Sequence, residues 1–314
     1  MIEIEQYTHD KEQEWDGFCN NAKNSLFMFN RRYMEYHSDR FHDHSLMFRN
    51  DGELIALLPM NDVGEELFSH GGLTYGGFIT GSKMKQHLMD DCFDALIKYC
   101  RENGYKKLLY KPIPHVYHTQ AAEEDKYSLY IKGANLLSIE ASTVINLSAP
   151  LKMPKGRKAQ ISRARREGVI IEELCEDKDF EAFIELENRI LMEKHGFNAV
   201  HTGKELALLH SYFPENIHLV GATLDGELIG GTVIFEYGTV VHTQYMATNE
   251  KAREIGALDL AISSVIEKYK GNKLWLDFGI STEDGGRYLN EGLISQKEGF
   301  GGRTNVYEKW ELNF

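Results

Sequence analysis

Residues 271–303 read GNKLWLDFGISTEDGGRYLNEGLISQKEGFGGR. A short apolar run at 274–276 enters Asp277-Phe278-Gly279, a glycine-rich polar segment follows, and residues 297–302 lead into a last aromatic strand. This is the form of a strand that ends at a binding surface. It is apolar where it is buried, and beyond that Asp277, Ser281, Thr282, Arg287, Asn290, Gln296 and Lys297 stand among glycines that let backbone approach a ligand. A solvated loop between two strands is the plainer reading of the same composition.

Further out, two hairpins share a sequence. Residues 46–60 and 217–237 each run strand, turn, strand, and Asp51-Gly52-Glu53-Leu54-Ile55 returns letter for letter as Asp225-Gly226-Glu227-Leu228-Ile229. Asp-Gly between apolar runs is a strong hairpin signal. Two helical patterns precede each hairpin: 11–22 and 32–38 in the first half, 179–194 and 203–212 in the second. The second pair begins with an apolar stripe of Phe180, Phe183, Ile184, Leu186, Ile190 and Leu191. Duplication of one α/β unit, reading strand, helix, helix, hairpin, strand, helix, strand, accounts for the match. Pro150 and Pro154 bracket a connector, which divides the chain into domains at 1–149 and 150–314.

The 314 residues are enough for two such domains. A formal charge of -13 argues against DNA, general RNA and anionic-membrane binding, since those surfaces recruit excess Lys and Arg. No run approaches the roughly 20 apolar residues of a membrane helix. The polar, acidic start has no signal-peptide pattern, so the expected location is cytoplasmic. Cys19, Cys92, Cys100 and Cys175 form no C-x-x-C pair and suit reduced thiols. His37, His42 and His44 fall close together, as do His115 and His118, but their spacing defines no third ligand, and no metal is expected.

Residues 152–166 break the acidic pattern with seven basic side chains (Lys152, Lys155, Arg157, Lys158, Arg163, Arg165, Arg166) and no acid. Helical spacing turns Ile161 and Ala164 inward and leaves Arg157, Lys158, Arg165 and Arg166 toward solvent. A solvated face and a site for a phosphate-bearing ligand both have this pattern.

The duplicated unit, the basic helix before its second copy, and an ending with Asp277-Phe278-Gly279 and Lys297-Glu298-Gly299-Phe300-Gly301 resemble the GNAT N-acetyltransferase superfamily. Within it they are similar to the tandem-domain branch related to Fem peptidyltransferases. The resemblance implies an α/β (α+β) fold of two tandem GNAT-like domains, each a mixed, largely antiparallel sheet flanked by helices. It also implies an N-acyltransferase with its active site in the second domain; the first has Pro112 and Pro114 where the second has Asp277-Phe278-Gly279, and is expected to close one wall of a shared cleft. Asp-Phe-Gly also occurs in protein kinases, but no kinase catalytic loop precedes it here, and no G-x-S-x-G elbow supports a hydrolase.

The reaction so implied is attack of an amine on an activated acyl carbonyl, which needs positioning, proton transfer and oxyanion stabilisation. In the superfamily the thioester lies beside a splayed central strand, for which residues 241–247 are the candidate. Coenzyme A-binding members carry Arg or Gln, two residues, Gly, one residue, then Gly or Ala, at a helix N-terminus that binds pyrophosphate. Arg253-Glu254-Ile255-Gly256-Ala257 matches as far as Gly256, and Leu258 stands at the last small position. Asp277, His242 and Tyr245 are the catalytic candidates, with Asp277 meeting the amine, and Arg287 and Lys297 suit an anionic group on a substrate. The expected donor is an acyl-coenzyme A thioester and the acceptor an amine, taken from the family as an amino sugar of cell-envelope polysaccharide. Aminoacyl-tRNA, the donor of the Fem enzymes, is the competing reading. The helical insertion those enzymes commonly carry is absent from the sequence. A GNAT-like protein that binds ligand without catalysis is a third.

Overall fold

Both Asp-Gly pairs turn the chain as their chemistry requires. Asp51 and Gly52 have φ of 49° and 81°, Asp225 and Gly226 of 54° and 83°, the left-handed pair that a two-residue hairpin needs. The computed structural model describes residues 1–314, apart from the side chains of Lys194 and His195. The two hairpins match beyond their letters. Phe48 lies opposite Ala56 and Arg49 opposite Leu54, which leaves Ile55 as an extra residue; Ala222 lies opposite Gly230 and Thr223 opposite Leu228, which leaves Ile229. The same isoleucine of the repeated pentapeptide is bulged in both.

The chain forms two compact units. The first comprises Met1–Ala141, Thr282–Tyr288 and Val306–Phe314; the second comprises Ser142–Ser281 and Leu289–Asn305. These bounds differ from a single cut after residue 149. The last strand, Arg303–Asn313, explains part of the difference: Trp310–Asn313 ladders antiparallel with Lys107–Tyr110, and Leu312 sits in the first unit's core. A strand belongs where its hydrogen bonds go, whatever its place in the chain.

In the first unit, Ile2–Gln6, Leu46–Asn50, Glu53–Leu58 and Ile79–Thr80 form one sheet. The helix Gln86–Glu102 lays Met89, Cys92, Phe93, Leu96 and Cys100 into the same core as Leu46, Phe48 and Leu58.

The second unit is built from α1 (Lys155–Arg166), β1 (Ile170–Leu174), α2 (Asp177–His195), α3 (Gly203–Tyr212), β2 (Ile217–Leu224) and β3 (Glu227–Glu236). There follow β4 (Val240–Thr248), α4 (Glu250–Ile255), α5 (Ala257–Tyr269), β5 (Trp275–Ile280) and α6 (Glu291–Glu298). The sheet order is β1-β2-β3-β4-β5, with Ser142–Asn146 beyond β5; every pair is antiparallel except β4 with β5. Ile262, Val265 and Ile266 of α5 pack on Ile234, Val241 and Leu276. Ile161 and Ala164 turn α1 inward, as its spacing predicts, onto Ile255, Ala257 and Leu260.

Candidate active site

The site starts where β4 and β5 part. Val240, Val241 and His242 lie opposite Trp275, Leu276 and Asp277. The ladder ends there, while β4 runs on to Thr248. One irregularity in each strand opens the gap. In β4, Tyr245 faces Val233 and Thr243 faces Ile234, so Gln244 is a bulged residue with no counterpart on β3. In β5, Asp277 faces Val144 but Ile280 faces Ser142, and Gly279, at φ 71°, turns the chain between them.

The β4 bulge also decides which side chains meet. His242 lies opposite Phe235 and Tyr245 opposite Val233. Phe235 and Val233 are two apart on β3 and therefore point to one side, so His242 and Tyr245 share that side although three positions separate them. Ile234 and Val241 point the other way, toward α5.

Asp277 was expected at an open strand end. Its side chain is instead wholly enclosed. Oδ1 accepts from Ser142 Oγ at 2.5 Å and from the Gly279 N–H at 2.9 Å, and Oδ2 lies 3.7 Å from His242 Nδ1. The carboxylate thus forms the turn and backs the imidazole. Lys297, expected to meet substrate, is 3 % exposed and donates from Nζ to the carbonyls of Gly279 at 2.9 Å and Ile280 at 2.6 Å. Burial pulls its ammonium down to about 8, and Asp277 acts in the opposite sense. Phe300 stacks on Phe278 at 5.6 Å. The two halves of the closing motif therefore meet in space: the lysine and phenylalanine of Lys297-Glu298-Gly299-Phe300 clamp the turn at Asp277-Phe278-Gly279.

Tyr245 is held from the α2–α3 connection. Its Oη accepts the His201 backbone N–H at 3.2 Å and lies 2.7 Å from His201 Nδ1. Burial pushes the phenol up to about 12. Sequence reasoning passed over His201 and Ser142. The signal for His201 was its place one residue before Thr202-x-x-Glu205, a capping box that fixes the start of α3.

A cleft of about 520 Å³ opens beside the end of β4, between α1, α4, α5 and α6. Of the five residues expected to cradle a donor, Arg253 and Gly256 line it. Ile255 and Ala257 belong to the apolar core, and Glu254 is exposed. Gly256 sits at φ 79°, and a Cβ there would come within 2.9 Å of the Gln160 carbonyl, so both conformation and the approach of α1 demand glycine. Arg157, placed toward solvent by helical spacing, turns into the cleft wall. It pairs with Asp259, donates to the Gln296 carbonyl at 2.8 Å, and lies 4.2 Å over the Phe300 ring. Arg253 is exposed, with no side-chain partner among the described residues. Arg287 lies in the first unit, beside Leu136, Leu137 and Ile139, and so is not among the groups gathered at this cleft. Among the described residues no cluster of His, Cys, Asp or Glu is arranged to hold a metal ion, and no helix is long and apolar enough to cross a membrane.

Residues 155–288 match the family model described as Acetyltransferase (GNAT) domain. FemX superposes with a TM-score of 0.68 at 11% identity, covering 98% of this chain and 96% of that one. L-PGS from Bacillus licheniformis superposes at 0.61 with 15% identity, covering 98% and 92%. A tandem GNAT protein from the clavulanic acid biosynthesis pathway superposes at 0.56 with 11% identity, covering 100% and 98%. At these identities the likeness is one of fold. No curated protein matches the chain. Residues 155–288 thus match a GNAT domain, and the chain as a whole has the tandem GNAT fold related to the Fem proteins.

Proposed function

We propose that the protein is a cytoplasmic N-acyltransferase that moves an acyl group from a coenzyme A thioester to an amine, with an amino sugar of the cell envelope as the acceptor class. The parting of β4 from β5 carries this reading. It leaves a strand edge between a cleft with two guanidinium groups on one side and an imidazole and a phenol on the other.

In this reading Arg253, Arg157 and the start of α5 receive the donor's phosphates. The β4 backbone beyond His242, free of β5, offers N–H groups to the developing oxyanion. His242 takes the amine's proton, oriented by Asp277, and Tyr245 gives one to the leaving sulfur. Lys297 serves by fixing the β5 turn.

Calorimetric titration with coenzyme A and acyl-coenzyme A, then a screen of amines for thiol release, tests the reading. Binding without turnover across a broad screen would favour a non-catalytic ligand-binding protein instead. Arg253→Ala is expected to weaken acyl-coenzyme A binding about tenfold with the melting temperature unchanged, because the side chain is exposed and its contact with phosphate is worth on the order of 1.4 kcal/mol. Unchanged affinity would remove Arg253 from the donor site. The exposed Lys155, Lys158, Arg163, Arg165 and Arg166 of α1 favour a second reading, aminoacyl-tRNA as donor. Transfer from charged tRNA but not from acyl-coenzyme A would select it.

A further inference from the structure

We infer that His201 is a positioning residue for Tyr245, holding the phenol oxygen between two donors so that Tyr245 can release its proton. The inference rests on the acyltransferase reading above and adds a residue to it.

Three observations carry it. His201 lies between α2 and α3 and is 7 % exposed. Its neighbour Thr202 caps α3, accepting the Glu205 N–H at 3.1 Å while its own N–H donates to the Glu205 carboxylate at 2.7 Å, so the backbone at 201 is fixed. The His201 N–H donates to Tyr245 Oη at 3.2 Å, and ring Nδ1 approaches the same oxygen at 2.7 Å, with the two rings nearly perpendicular at 86°.

A buried phenol is a poor acid. Burial raises Tyr245 to about 12, and the carboxylates of Glu187 and Glu205 act in the same sense, while hydrogen bonds from His201 and Gln244 oppose them. A second donor from His201, Nδ1–H, places two hydrogen bonds on the oxygen and stabilises the phenolate. With His201 donating, the Tyr245 O–H is left for another acceptor. As the C–N bond forms and the C–S bond breaks, the sulfur keeps the bonding pair and takes the Tyr245 proton, giving thiol. The amine's proton passes to His242 and on to water, and the phenolate recovers a proton from water. The net transfer is one proton from amine to thiol.

The test compares thiol-release kinetics for wild type, His201→Ala, His201→Asn, Tyr245→Phe and the double variant. NMR of ¹³C-labelled tyrosine, with the Tyr245 Cζ signal assigned from Tyr245→Phe, runs alongside. His201→Ala is expected to lower kcat about 10- to 100-fold with KM for the thioester within about twofold. His201→Asn, whose amide N–H replaces the ring donor, is expected to recover most of that loss. The double variant should be no slower than Tyr245→Phe, because His201 acts through the phenol. The Cζ signal should move in His201→Ala and return in His201→Asn. An additive double variant, an unchanged kcat in His201→Ala or an unmoved Cζ signal would overturn the inference. Absence of thioester turnover in wild type would sink the acyltransferase reading together with the role given to His201 in it, while the NMR arm would still decide whether the hydrogen-bonded pair exists.

Discussion

Asp277→Asn is expected to lower thioester turnover on the order of 100-fold while the protein still folds. The asparagine carbonyl can take the place of Oδ1 and accept from Ser142 Oγ and the Gly279 N–H. The amide NH₂ then replaces Oδ2, the atom that lies 3.7 Å from His242 Nδ1, and the imidazole loses the anion behind it. The stability cost should be about 1–3 kcal/mol, that of one weakened buried charge contact. Asp277→Ala removes the acceptor altogether, strands two buried donors, and should cost about 3–5 kcal/mol. Turnover and thermal melting measured on the same Asp277→Asn preparation separate the roles: near-normal turnover in folded protein would leave Asp277 as a turn former only.

The second large effect is on acid stability and belongs to the first unit. His70 is 2 % exposed, with its ring 5.4 Å from that of His37, and its Nδ1 has no hydrogen-bond partner. Burial first, then His37, Lys111 and Arg31, hold it down to about 3. An unfolded histidine titrates near 6.5, so between about pH 6.5 and 3 the unfolded chain binds a proton that the folded one refuses. The stability present above pH 6.5 is therefore lost as the pH falls. From pH 6.5 to 4.5 His70 alone should remove roughly 2–3 kcal/mol, at about 1.36 kcal/mol per unit. His70→Asn is the control, since asparagine tolerates the positive φ of 50° at this position. Urea unfolding followed by Trp15, buried in the same unit, should show a shallower loss in the variant. Equal slopes for the two proteins would contradict the linkage.

Much of the fold was legible because its signals are local. The Asp-Gly turns need only two residues in the left-handed region, and the stripe at 179–194 needs only helical period. The repeated pentapeptide pointed to duplication, and the matching bulges at Ile55 and Ile229 carry that likeness into the backbone. The candidate site was legible in part. His242, Tyr245, Asp277, Arg253 and Gly256 were singled out, but period-two reasoning along β4 sends His242 and Tyr245 to opposite faces.

By itself the sequence determined the element order, the two hairpins and the residue types available for acyl transfer. Each of these follows from conformational preference or chemistry within a few positions. Tertiary structure decided the rest. The bulge at Gln244 exists only against the register of β3 and brings imidazole and phenol to one side. The enclosure of Asp277 depends on Ser142, 135 positions away. Lys297 became a clamp, not a surface cation, because two carbonyls of β5 face it. Arg157 turned inward because Asp259 and Phe300 wait there. His201 reached Tyr245 because a capped helix start fixes the loop beside β4. In every case the deciding partner lies far along the chain, and a hydrogen bond or ladder closed by folding has no signature in local sequence.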